Sequence, residues 1–286
     1  MKKDKNKKII VSSMSYEDVA KFLIDDFYET YDRILNKRDY NFNQSVRKAK
    51  ASFSGSYPYH YKMFDMNSAN GLPYMVMGMV VSEKAKKNGG GPFVITKFSY
   101  KGISHYAIIS YNFYPDFLDK KSVWSVDIFH PHVLHRYYER IHDEYAESDM
   151  ENFLTFFEET GGLTKLMTTP TAKYDHPQHG ETMYKVVGNG ILLGNHLMYD
   201  KTNVYIYKTF LSEDILKDSQ SDLHEVMNLI SDITVDHVNA MASPENAGKL
   251  VDHIMNYVTP ESKLNVSIVN LLSDKEQDDL LKDIKI

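Results

Sequence analysis

The residue types best suited to chemistry lie in one stretch, Asp127-Ile128-Phe129-His130-Pro131-His132-Val133-Leu134-His135-Arg136-Tyr137-Tyr138-Glu139-Arg140-Ile141-His142. Proline suits the first turn of a helix, where its missing N–H has no partner to lose. With Pro131 in that place, Leu134, Tyr137, Tyr138, Ile141 and Tyr145 share an apolar stripe. His132, Arg136 and Arg140 then step round the helix by about 40° each and form a polar row away from the stripe. An imidazole titrates near neutrality, and guanidinium forks match phosphate oxygens. The first helical turn adds outward N–H groups and the positive end of the dipole. That row could bind a phosphate and move a proton beside it.

The same side chains allow plainer arrangements. Arg136 and Arg140 could pair with Glu139, Asp143 or Glu144 on the surface. His130, His132 and His135, with Asp127 near and His176 and His179 further on, could meet a borderline metal such as zinc. No His-Glu-x-x-His signature accompanies them. Gly188-Asn189-Gly190 and Gly194 read as turns, because Ile191-Leu192-Leu193 continues as a strand rather than the helix a dinucleotide site needs. A Gly-x-Ser-x-Gly elbow and a phosphate-binding Gly-Lys-Ser/Thr loop are both missing from the sequence. Arg47, Lys48 and Lys50, close to the aromatic run around Tyr59, form a second candidate contact for single-stranded nucleic acid.

Three regions must position these groups. Residues 1–63 read as a helical, basic N-terminal region. There Val19, Phe22, Leu23, Phe27, Tyr31 and Ile34 recur at helical spacing behind a Ser15/Asp18 start, and Asn43 to Phe53 reads as a second helix. Residues 64–212 read as an α+β core. Within it Lys84 to Pro92 reads as a loop, and Phe93–Tyr100 with His105–Phe113 as a hairpin about Lys101-Gly102. Val123–Ile128 reads as a further strand, Pro131–Tyr145 as a helix, and Ser148 as the cap of another that ends at Gly161-Gly162. Met183–Val187, Ile191–Met198 and Asn203–Phe210 read as a meander. Residues 213–286 read as a helical, acidic C-terminal region, with a long helix over Leu223–Val238, a start at Ser243-Pro244-Glu245 and a short helix from Ser273. The expected fold class is α+β: an antiparallel sheet with a central amphipathic helix, flanked by helical N- and C-terminal regions.

His132-x-x-x-Arg136-x-x-x-Arg140 on a helix precedes sheet candidates at Tyr184, Gly188, Gly190 and Gly194, closed by Lys208-Thr209-Phe210. Over roughly residues 125–215 this resembles the barnase–EndoU–colicin–RelE superfamily of metal-independent ribonucleases. The resemblance implies attack of a ribose 2′-oxygen on the adjacent phosphate. His132 would serve as base or acid, Arg136 and Arg140 would hold the phosphate, and Thr209 or Tyr184 would complete the site by hydrogen bonding. It implies no cofactor and no metal. A non-catalytic binding or assembly protein that meets a protein partner is the alternative, and a His-rich metal-binding protein is a third reading.

Composition narrows the classes. The chain has 286 residues, 42% of them apolar and 25% charged, an ordinary globular balance near the upper size for one core. It has no cysteine, which excludes disulfides and thiolate chemistry. Residues 1–63 hold 13 Lys/Arg against 8 Asp/Glu, whereas residues 213–286 hold 6 against 15. The basic start is followed only by Ile9-Ile10-Val11 before serines interrupt, too short for an export signal. Gly71–Val81 is too short for a spanning helix. The expectation is a cytoplasmic protein with no membrane contact.

Overall fold

A computed structural model describes residues 8–40, 44, 47, 59–80, 91–111, 123–142, 148–160, 167–169, 181–187, 189–200, 202–216 and 265–266. The expected segments 48–53, 112–113, 143–145 and 161–162, the loop over 84–90, and the helices over 223–238, 243–245 and from 273 lie outside these residues.

The chain opens with α1 (Tyr16–Tyr40). Ser15 and Asp18 start it reciprocally: Asp18 Oδ2 accepts the Ser15 N–H at 2.9 Å, and Ser15 Oγ accepts the Asp18 N–H at 3.1 Å. Two hairpins follow, β1 (Tyr59–Asn67) with β2 (Pro73–Val80), and β3 (Gly91–Tyr100) with β4 (Ile103–Tyr111). The second closes on Lys101-Gly102, both at positive φ, 51° and 77°, the two-residue turn whose twist suits antiparallel strands. Next come β5 (Val123–Phe129), α2 (Pro131–Ile141) and α3 (Asp149–Glu159). Short β6 (Met167–Thr169) leads to the meander β7 (Glu181–Val187), β8 (Gly190–Tyr199) and β9 (Thr202–Ser212), and two residues, Asn265–Val266, form β10.

The ten strands among the described residues form one sheet in the order β1-β2-β3-β4-β5-β9-β8-β7-β6-β10. Here the expected fold class needs correction. The sheet is mixed, because β5 runs parallel to β9, with Asp127 opposite Tyr205 and Phe129 opposite Tyr207. A parallel pair needs a long crossover, which α2, α3 and β6–β8 supply. The helices cover both faces instead of flanking the sheet at its ends. Part of the presumed N-terminal helical flank is strand β1, and the described residues after 212 are a 3-10 turn (Glu213–Ile215) and β10.

On one face Val19, Leu23, Phe27 and Ile34 of α1 pack on Val94, Ala107, Ile109, Val126, Ile128, Val204 and Ile206. On the other, Tyr137 of α2 and Phe153, Phe156 and Phe157 of α3 pack on Phe93, Ile95, Tyr106, Ile108, Phe129, Tyr207 and Phe210. Central strands buried on both sides read as continuous apolar runs, as Phe93-Val94-Ile95 and Ala107-Ile108-Ile109 do. Buried Asp26 of α1 pins the β1–β2 turn. Its Oδ1 accepts Asn70 N–H and Nδ2–H at 2.8 and 2.9 Å, and its Oδ2 accepts the Tyr74 hydroxyl at 3.0 Å.

Candidate functional site

Helix α2 starts where β5 ends, and His130 is the hinge between them. Its backbone N–H donates to Tyr207 O at 3.0 Å, tying the corner to β9. Its Nδ1 accepts the His132 N–H at 3.1 Å and its carbonyl accepts the Val133 N–H at 2.9 Å, so an imidazole caps the helix. Two N–H groups that the sequence left open for a phosphate are therefore already used. An anion at this place would be held by side chains.

Those side chains gather as the spacing implied. Val133, Tyr137 and Tyr138 are buried, and the opposite row carries His132, Arg136 and Arg140. Arg136 Nε–H donates to His132 Nε2 at 3.3 Å, and its guanidinium pairs with Glu139 at 2.5 Å. Arg140 donates to the carbonyl of Phe210, the residue after half-buried Thr209 on β9. The His132 ring lies 6.4 Å from those of both His130 and His135. Behind His130, buried His105 of β4 sits edge-on at 5.1 Å, its Nε2 at 3.2 Å from the Tyr16 hydroxyl.

The electrostatics follow from this crowding. Partial burial and then Arg136, His135 and Arg140 hold the His132 pKa below its usual value, against the pull of Glu139. Burial, His132 and Lys208 lower His130 in the same way. Burial alone lowers Lys208. His105 falls to about 4, chiefly through burial. The lowered pKa favours the neutral form of His132, which presents a basic nitrogen close to the Arg136 and Arg140 guanidinium groups.

The other candidates are dispersed. Tyr184 of β7 is level with Leu193 of β8 and, through it, with Thr209 of β9. Two strand spacings, about 10 Å, therefore separate the Tyr184 and Thr209 backbones. Tyr59 begins the edge strand β1, five strands from β9 and so about 24 Å away. Arg47 is helical and exposed, while Lys48 and Lys50 lie outside the described residues. Among the described residues no group of three or more His, Asp or Glu side chains is placed to hold a metal ion, and this includes His130, His132 and His135. No described helix is long and apolar enough to cross a membrane.

Two polar clusters have no counterpart in the sequence reading. Asp127 is fully buried at the parallel junction, where Tyr207 Oη–H and Ser125 Oγ–H donate to its two oxygens at 2.8 and 3.0 Å. Burial raises its pKa, while Lys185, Tyr207 and Ser125 oppose the rise. At the far end of α2, Glu159 Oε2 accepts the Tyr137 hydroxyl at 2.5 Å and meets His142 Nε2 at 2.7 Å, clipping α2 to α3. An acid in the apolar run Val126-Asp127-Ile128-Phe129 was the only sequence signal for the first. Nothing local signalled the second.

No protein-family model, curated protein or solved structure matches the chain.

Proposed function

We propose that this protein binds single-stranded RNA through the α2 row and cleaves it without a metal. One observation carries the reading: His132, Arg136 and Arg140 share one face of α2, with Arg136 bonded to His132 and Glu139 paired to Arg136. Arg136 and Arg140 take the phosphate oxygens in fork geometry and stabilise charge on the phosphorane. Water takes the proton of the ribose 2′-hydroxyl, and His132, protonated at Nε2 beside the bound phosphodiester, serves as the acid. The 2′-oxygen bonds to phosphorus, the bond to the 5′-oxygen breaks, and that oxygen leaves with the proton from His132 Nε2, giving a cyclic phosphate end.

The Arg136–Glu139 pair favours a second reading, in which the row binds a partner and does no chemistry. Incubation with mixed single-stranded RNA in excess EDTA, beside His132→Ala, separates the two. Cleavage that survives EDTA and vanishes in the variant is the expected result. Intact RNA from both proteins would leave only the binding reading, and equal cleavage by both would remove His132 from the reaction.

A further inference from the structure

We propose that an RNA phosphodiester binds the α2 row together with one proton, taken up at His132 Nε2 as Arg136 turns from that nitrogen to the anion. The inference rests on the RNA-binding reading above.

It begins with the hydrogen bond from Arg136 Nε–H to His132 Nε2. An imidazole nitrogen that accepts a bond there carries its hydrogen, when neutral, on Nδ1. Protonating Nε2 in the free protein therefore breaks the bond and leaves two cations facing each other. An arriving phosphodiester reverses the balance. It draws the Arg136 fork to its oxygens, frees Nε2, and supplies an acceptor for the new N–H.

His130 does not take that proton, because its Nδ1 holds the helix cap. The charged groups around the two imidazoles are mostly cationic, and the neutral ones add no opposing charge. Along α2 stand His135, Arg136 and Arg140, opposed by Glu139. From β9 Lys208 faces His130, and from β4 His105 backs it, with Lys101 at the hairpin turn. Tyr16 of α1 closes the line on His105. Such a field holds the free His132 below its ordinary pKa, and a bound anion raises it. Linkage then requires tighter binding at lower pH, by up to about tenfold per pH unit for each proton taken up.

Isothermal titration of the full chain with a 2′-O-methyl oligouridylate, which cannot be cleaved through its 2′-oxygen and whose phosphodiesters do not titrate near neutrality, reads this directly. The titration is run near pH 6.5 in two buffers of different ionisation enthalpy and repeated across about pH 5.5–7.5. Expected are uptake approaching one proton and affinity that rises as pH falls. In His132→Gln, whose amide oxygen still accepts from Arg136, uptake and slope should vanish. Binding without uptake, or an unchanged slope in His132→Gln, would overturn the inference and leave the RNA-binding reading standing. No binding at any pH would overturn both.

Discussion

Arg136 Nε–H donates to His132 Nε2 at 3.3 Å, one helical turn apart on α2. This contact joins a permanent cation to an imidazole nitrogen able to accept a proton. Arg136 also reaches Glu139, so the guanidinium has two partners to exchange for an anion. Exposed ion pairs of this kind contribute about 0–1 kcal/mol, a small barrier to that exchange.

Stability should fall in mild acid. His60 and His105 are each lowered to about 4, chiefly by burial, whereas an unfolded imidazole titrates near 6.5. The unfolded chain thus binds protons first as pH drops. Stability is complete above about pH 6.5 and declines between there and about pH 4, by on the order of 2 kcal/mol per histidine near pH 5. Thermal melts at pH 7.5 and pH 5 should show a lower Tm in acid, and His105→Phe should reduce the difference. An equal Tm at both values would contradict the burial of these imidazoles.

Asp26→Ala should destabilise the fold by about 3 kcal/mol, because Asn70 N–H, Asn70 Nδ2–H and Tyr74 Oη–H would lose their buried acceptor. Urea unfolding measures it. Asp26→Asn keeps one oxygen acceptor and should cost less. A loss below about 0.5 kcal/mol for the alanine variant would show that the turn is held by packing alone.

How far the sequence revealed this arrangement depends on the range of each interaction. The β3–β4 hairpin is local: Lys101-Gly102 and the β-branched runs around it suffice. So are the Ser15/Asp18 start of α1, the Ser148 cap of α3 and the face of α2 that buries Tyr137 and Tyr138. The β5–β9 parallel pairing is not local. It joins Asp127 to Tyr205 across the whole crossover, and no pattern near either residue specifies parallel over antiparallel. Strands β1 and β2 were hidden because Met75-Val76-Met77 is apolar without alternation, and Tyr59-His60-Tyr61 reads equally as an aromatic contact surface. The spacing of His132, Arg136 and Arg140 was legible, and so was Glu139, three residues on, as a partner of Arg136. His130 as a cap and Phe210 O on Arg140 are choices made in three dimensions.

The most direct test of the account is the salt dependence of 2′-O-methyl oligouridylate binding by the native protein and by Arg136→Ala/Arg140→Ala. Each guanidinium on a single-strand phosphate contributes about 0.7 to the slope of log K against log salt. Fluorescence anisotropy should show binding to the native chain that weakens with salt, and a slope smaller by about 1.4 in the double variant with at least tenfold lower affinity. Equal slopes and affinities for the two proteins would show that the α2 row does not hold RNA.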